Sequence, residues 1–392
     1  AVIAIENVRL FNETKEALER QRASAEVLTA ISSSIADAKP VFEVILQSCQ
    51  RLFAGHTVGV TLVRDDGMLD TGANVGPGFD ELKKIFPQPL TRETASGLAI
   101  LDRKVRAYAD VDSGDMPCAS RDGAHAIGNG SMAFAPMLFE GRGIGTLWVG
   151  RTFKGPFDEK QLALLKTFAD QAVIAIQNAR LFNETREALD QQRASTEVLG
   201  AISSSIANTS PVFETILAAC ERLFEGYLVG LNLVDDAGAV YLAAYHGPRE
   251  QEMRAIYPLR LDRSTGSGLC ILEGRPIQFS DVDAPDGAPD SVKRGASIIG
   301  FRSITFAPQH LDGQAIGALW VGRVNTGAFS DKQLALLKTF ADQAVIAIQN
   351  ARLFNETREA LERQTATAEV LSVISSSVSD TAPVFDKIVE SC

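Results

Sequence analysis

Gly300-Phe-Arg-Ser303, Phe306-Ala-Pro308, Asp312-Gly-Gln-Ala-Ile-Gly317 and Phe329-Ser-Asp-Lys-Gln-Leu334 follow one another as loop, strand, turn, strand and helix start. Asp312-Gly313 between two apolar runs reads as a hairpin turn, with glycine supplying the positive φ. Acidic charge soon after Phe329 suits the first turn of a helix, where unpaired N–H groups carry partial positive charge. The same frame stands earlier in Gly128-Asn-Gly-Ser131, Phe134-Ala-Pro136, the turn at Glu140-Gly141 and Phe157-Asp-Glu159. One position differs in chemistry: Gly130 stands where the later copy has Arg302.

Outward from each frame the chain keeps repeating. Ala175-Ile-Gln-Asn-Ala-Arg-Leu-Phe-Asn-Glu-Thr-Arg-Glu-Ala-Leu189 returns almost letter for letter at residues 347–361, and a close relative occupies 4–18. The spacing is domain-sized, too long for a solenoid of small repeats. The block reads as a helical joint between domains. The expected organisation is a connector helix from a missing preceding unit (1–39), a first domain (40–157), a connecting helix (158–210), a second domain (211–329), an exit helix (330–382) and the start of a third, truncated unit (383–392). Because Pro383-Val-Phe-Asp-Lys-Ile-Val-Glu-Ser-Cys392 repeats 211–220 and 40–49, the chain is expected to be a slice of a longer multidomain protein.

A net charge of -11 and a pI near 5.0 leave no basic stripe for phosphates, which excludes nucleic acid as the main partner. No apolar run approaches the roughly 20 residues of a membrane span, and no basic-then-apolar signal opens the chain. No membrane contact and a cytoplasmic location are therefore expected. Cys49, Cys220 and Cys392 recur at one place in an apolar helical pattern, as small buried thiols. Cys118 and Cys270 do not correspond and have no neighbouring Cys or His at ligand spacing, so no metal site is expected.

The connecting helix has an apolar seam at Leu165, Phe168, Ala172, Ala175, Ala179, Phe182 and Leu189, in steps of three and four with one gap at Arg186. Asp158 suits the N-cap, and no Gly or Pro follows until Gly200. A helix over about 158–206 is roughly 75 Å long at 1.5 Å per residue. One domain cannot cover that length, so the seam is expected to pair with the same helix of a second chain, in parallel, as a homodimer. Its small and polar positions leave alternative registers close in energy, which suits a helix that carries a signal.

Within each unit a short amphipathic helix, about 41–53, precedes the strand Thr57-Val-Gly-Val-Thr-Leu-Val63 or Val229-Gly-Leu-Asn-Leu-Val234. Further strands follow at 69–74 and 240–245, brief helices at 98–101 and 269–272, and edges at 105–107 and 276–279. Residues 109–128 and 280–300 read as a long loop crossing the sheet as the lid of a pocket. Inside them, 113–127 and 286–299 are expected to be the most mobile parts. The fold class is α+β: an antiparallel sheet of five or six strands with helices packed on one face, repeated twice and joined by long coiled-coil helices. Nothing matches GxxxxGK[ST], so no nucleotide-phosphate loop is present.

The ordered motifs resemble the GAF fold, whose members end with a Gly-x-Arg-Ser loop, a strand leading to Pro, a Gly turn, an Ile-Gly-x-Leu strand and a Phe–acidic helix start. The connectors, with Leu-Phe-Asn-Glu-Thr, Ala-Glu-Val-Leu, Ile-Ser-Ser-Ser and Pro-Val-Phe, resemble those of large bacterial multi-GAF sensor proteins. That likeness implies a regulatory input to a downstream output domain in the same chain, a histidine kinase core or, less often, a nucleotide cyclase. Family members that bind cyclic nucleotides carry Asn-Lys ahead of Phe-x-x-x-Asp-Glu; only the end survives here, in Phe157-Asp-Glu159 and Phe329-Ser-Asp331. The Cys-His neighbourhood of bilin-binding members is missing around Cys118 and His125. His125, His246 and His310 read as loop or turn residues rather than haem ligands.

Candidate ligand-binding residues in the second unit are Asn232, Tyr245, Tyr257, Phe279, Asp290, Arg302, Thr305 and Trp320. Asn232 is a polar residue in an apolar strand and must find a partner if buried. Arg302 either pairs with an anionic ligand or pins its loop to Asp283. Trp320, which matches Trp148, is either core or pocket wall. In the first unit Tyr108, Met116, Cys118, His125, Met132 and Phe134 line a softer, less charged space. A small ligand is expected to favour the second unit with Arg302 as its fixed cation; no cofactor is expected. The serines lie on connector helices without a repeated His–Asp companion, so no catalytic residue is assigned. The functional expectation is a non-catalytic sensory region that relays a signal through its helices; the alternatives are a ligand-free dimerisation spacer and the input of a nucleotide cyclase.

Overall fold

A computed structural model describes residues 2–224, 228–284 and 287–376, in two compact units that divide after Glu187. The first unit contains α1 (Val2–Ser33), α2 (Lys39–Leu52), β1 (Thr57–Val63), β2 (Met68–Val75), α3 (Phe79–Lys83), β3 (Gln88–Pro89), α4 (Ala95–Asp102), β4 (Arg106–Tyr108), α5 (Cys118–Ala126), β5 (Ser131–Phe139), β6 (Arg142–Arg151) and the opening part of α6 (Glu159–Ser204). The second takes the end of α6, then α7 (Ser210–Leu223), β7 (Leu228–Val234), β8 (Ala239–His246), α8 (Glu250–Arg254), β9 (Leu259–Arg260), α9 (Gly266–Glu273), β10 (Ile277–Phe279), α10 (Asp290–Ile299), β11 (Ser303–Leu311), β12 (Gln314–Arg323) and α11 (Asp331–Ser376). Each sheet is antiparallel with six strands, ordered β3-β2-β1-β6-β5-β4 and β10-β11-β12-β7-β8-β9.

The central strands are apolar at nearly every position because both faces are covered. On β5, Ala133, Ala135 and Met137 face a core shared with α2 and α6, while Met132 and Phe134 belong to a second core with Trp148, Tyr108 and Ile127. Alternate residues of a strand point to opposite faces, so one strand feeds both cores. The alanines on the helix side let α2 and α6 approach closely; Ile45, Leu165, Phe168 and Ala172 are fully buried there. The second unit repeats the scheme with Ile216, Leu337, Phe340 and Ala344 on one side and Ile304, Phe306 and Trp320 on the other.

Two expectations need correction. The segments expected as mobile loops contain α5 and α10, so helices cover both faces of each sheet rather than one. α5 reads as loop because it is built from small residues and a glycine, and tertiary burial of Gly123 and Ala124 holds it. α10 buries Val292, Gly295, Ala296 and Ile299 along one stripe, a helical period obscured by the flanking Pro and Asp residues.

The second correction concerns the seam. Leu165, Phe168, Ala172 and Ala175 lie in the first unit's own core, and Ala179 is buried at its edge. They face the sheet and α2, and are not available to a partner. Phe182 and Leu189 are exposed, as is every residue from 180 to 189. Farther along α6, Ala194, Val198 and Ile202 enter the second unit's core. Incoming and outgoing helices of a unit run side by side in the same direction: Gln171 donates to Ser24 Oγ at 3.2 Å and Asn183 to the Ala36 carbonyl at 3.3 Å. The second unit repeats the first of these contacts, Gln343 donating to Ser195 Oγ at 2.8 Å. The expected start of a third unit at 383–392, with Cys392, lies outside the described residues.

Candidate functional site

On the sheet face opposite the long helices, each unit encloses a small cavity. In the second unit its floor is Ile304, Phe306 and Trp320, and its roof comes from Met253, Ile256 and Tyr257, the start of α9 and the buried stripe of α10. The first unit builds the matching space from Met132, Phe134, Trp148, Leu82, Ile85, Phe86 and α5. The cavities measure about 60 Å³ and about 50 Å³, against several hundred Å³ for sites that hold drug-sized ligands. As folded, neither admits a nucleotide or a tetrapyrrole.

The wall geometry follows from two close approaches. Trp320 lies flat over Gly230, where a Cβ would come within 2.1 Å of the indole, and Trp148 does the same over Gly59 at 2.4 Å. Thr94-Ala-Ser-Gly97 and Thr265-Gly-Ser-Gly268 start α4 and α9: the threonine hydroxyls accept from the Gly97 and Gly268 amides at 2.9 and 3.0 Å. This N-cap turns the following Ser96 or Ser267 toward the cavity.

The polar end separates the two units. Asn232 is fully buried on β7; its Nδ2 donates to Ser267 Oγ at 2.6 Å, and its amide also faces the Tyr257 hydroxyl. Burial pushes the Tyr257 phenol well above its ordinary range, with the Asn232 contact acting in the opposite direction. Tyr257 keeps part of its surface exposed while its hydroxyl end is enclosed. On α9, burial raises the Cys270 thiol to about 12. In the first unit the corresponding places hold Thr61 and Phe86, and Thr146 donates to Ser96 at 3.0 Å.

Of the expected site residues, Tyr257 and Trp320 line the second cavity, with Asn232 behind its polar end; Met132 and Phe134 line the first. Tyr245 packs 6.0 Å from the Trp320 ring and donates to the Pro248 carbonyl. Phe279 stacks edge-on against Phe306 at 6.5 Å, and Thr305 points to the other sheet face, donating to the Ile277 carbonyl. Tyr108 and Met116 are buried in the core beside the first cavity. Asp290 and Cys118 are exposed at the first residue of α10 and α5. His125 is exposed and pairs with Asp112 at 2.8 Å.

Arg302 lies outside the cavity. It is half exposed, 3.5 Å from Asp283 and 3.7 Å from Asp281, and so pins its loop, the second of its two readings. Thr265, Ser267, Val292 and Ile304 line the cavity without having been singled out in the sequence. The signal for the first two was the Thr-x-Ser-Gly turn returning at the same place in both units. Among the described residues no group of His, Cys, Asp and Glu could hold a metal ion, and no helix is long and apolar enough to cross a membrane.

The GAF domain family matches the chain twice, over residues 36–177 and 208–349, and the chain belongs to that family. Solved structures similar to it include a domain of a putative two-component sensor histidine kinase from Sinorhizobium meliloti 1021, at 22% identity over 38% of this chain and 94% of that one, TM-score 0.32. Another is the GAF domain of an Acinetobacter phosphoenolpyruvate-protein phosphotransferase, at 14% identity over 44% and 98%, TM-score 0.36. A third is free methionine-R-sulfoxide reductase from Neisseria meningitidis in complex with its substrate, at 23% identity over 41% and 93%, TM-score 0.33.

Proposed function

We propose that this tandem GAF region is a non-catalytic sensory module that dimerises through parallel connector helices. In this reading it relays the state of its pockets to an output domain farther along the same polypeptide, a histidine kinase core. The observation that carries the reading is the thrice-repeated exposed helix. Leu10, Phe11 and Leu18 on α1, Leu181, Phe182 and Leu189 on α6, and Leu353, Phe354 and Leu361 on α11 are all at least 41% exposed. The same three residues left uncovered at the same repeat position on each helix suit pairing with the identical stretch of a second copy. The helix direction supports a relay: the helix entering a unit lies parallel to the helix leaving it, α11 packs on β11 and β12 of the sheet that floors the pocket, and α1 packs on α2, which lies on that sheet in the first unit. A shift of the sheet would reach the outgoing helix directly and the incoming one through the short helix beside it.

The expected light-scattering mass at micromolar concentration is that of a dimer, and Phe182→Glu should weaken it, since a charge would be buried without a partner at a cost of a few kcal/mol. A monomer at that concentration would sink the dimeric reading. Native mass spectrometry of protein purified from its own host tests sensing separately, a retained small molecule being the expected result.

A further inference from the structure

Each unit ties the helix that enters it to the helix that leaves it through a buried amide. Gln171 of α6 is 8% exposed and donates from Nε2 to Ser24 Oγ on α1; Gln343 of α11 is 7% exposed and donates to Ser195 Oγ on α6. In both glutamines Oε1 is also buried and has no donor among the described residues. Phe168-Ala-Asp-Gln-Ala-Val173 and Phe340-Ala-Asp-Gln-Ala-Val345 are identical, so the two units carry the same half-satisfied group at the same place. A hydroxyl returns a third time at Thr367 on α11, at the position that Ser24 and Ser195 hold in the repeat. α6 therefore carries both halves of the contact, Gln171 for the unit it leaves and Ser195 for the unit it enters.

A half-satisfied amide is a poor way to stabilise a helix pair, because a buried acceptor without a donor costs more than an apolar side chain of similar shape. What a buried polar contact between helices supplies is position. One turn on from each glutamine the buried residue is Ala175 or Ala347, too small to form a deep ridge that would hold an axial register. A slip of one turn takes the amide off its hydroxyl and, in one direction, onto Val27 or Val198, both fully buried. We propose that Gln171 and Gln343 are positioning residues that fix the axial register of the entering helix against the leaving one, at a cost in stability, so that an axial displacement of one is carried to the other. This rests on the relay reading for its purpose and names the contact through which each unit passes the displacement on.

Spin labels introduced by Gln192→Cys and Ala335→Cys, at exposed positions of α6 and α11, read the register of the second unit in the whole chain. Cys118→Ser and Cys392→Ser leave Cys49, Cys220 and Cys270, which are buried, as the remaining native thiols. Labelled protein is diluted with unlabelled protein, so that distances within one chain are measured. The parent should give one narrow distance by pulsed electron resonance. Gln343→Leu should broaden it, with a second component from a register slip of one turn, about 5 Å along the axis. The same change should raise the denaturant midpoint of the second unit, followed through Trp320 in a Trp148→Phe chain. Ser195→Ala should also broaden the distance but lower the midpoint, because the whole amide is then stranded. An unchanged narrow distance in Gln343→Leu would overturn the proposal by showing that packing alone sets the register. A midpoint that falls in that variant would overturn it too, since the amide would then be kept for stability. If Gln343→Leu fails to fold, the distance in Ser195→Ala, the milder change, decides by the same criterion. Either failure leaves the dimer and the relay standing, and a monomer in light scattering would leave the register contact standing.

Discussion

Gln309 and Met137 occupy the same place on β11 and β5, each opposite a glycine of the neighbouring strand, Gly317 or Gly145. Met137 sits in the helix-side core, whereas Gln309 is fully buried with neither amide atom paired among the described residues. Gln309→Met should therefore stabilise the second unit by ~1–3 kcal/mol, the usual cost of an unsatisfied buried amide. Chemical denaturation would reveal it; a loss of stability would mean that a bound group satisfies the amide in the folded protein. Arg302 gives the opposite lesson. Its two carboxylate partners lie at the solvent edge, so Arg302→Ala should cost no more than ~1 kcal/mol, and less after screening. Ligand affinity of the second unit should stay unchanged; a large loss in a binding titration would return Arg302 to the site.

Arg151, the last residue of β6, joins three elements although it is nearly inaccessible to solvent. Its Nε donates to the Phe53 carbonyl at 2.8 Å beyond the end of α2, its Nη1 to the Pro156 carbonyl at 3.3 Å, and its guanidinium lies 3.9 Å from the Phe157 ring centroid ahead of α6. Arg323 stacks on Phe329 at 3.7 Å in the same way. Arg151→Met keeps the apolar stem but strands two carbonyls, so a loss of ~2–4 kcal/mol is expected from the lost hydrogen bonds and cation–π contact. Hydrogen exchange should rise at the start of α6 more than in β5; equal protection there would contradict the clamp. Elements of this kind were only partly legible in the sequence. Thr57-Val-Gly-Val-Thr-Leu-Val63 announced β1 to the residue, because a strand covered on both faces reads as a short, largely apolar run rich in β-branched residues. α5 stayed hidden, since its stability comes from the sheet beneath it rather than from its own propensity. The pocket was legible where it is aromatic, at Trp320, Tyr257 and Phe134. It was illegible at Ser267, because a polar residue at a short helix start carries no periodic signal. Arg302 looked like a ligand anchor because sequence alone does not show that Asp281 and Asp283 reach it first.

Taken as a whole chain, the repeat predicts two folding units that share a helix without sharing a core. The buried residues of α6 divide into 165–179, which pack in the first unit, and 194–202, which pack in the second, with an all-exposed stretch at 180–189 between them. Cooperative unfolding follows contiguous buried contacts, so calorimetry should show two transitions rather than one. Phe168 and Phe340 are fully buried at corresponding places in the two cores. Phe168→Ala should lower one transition and Phe340→Ala the other, each by ~3–5 kcal/mol for a large aromatic removed from a packed interior. Because the sites share no partners, the double variant should show the two losses added. A flexible Gly-Gly-Ser-Gly insertion after Arg186, inside the exposed stretch, should leave both transitions in place, since no buried contact is cut. The same insertion should weaken the dimer if the exposed Leu181, Phe182 and Leu189 form its seam, because glycines break the helix that aligns them. A single transition lowered alike by Phe168→Ala and Phe340→Ala would show that the units fold as one body, and the relay would then have to pass through a rigid block rather than along a helix anchored at two separate places.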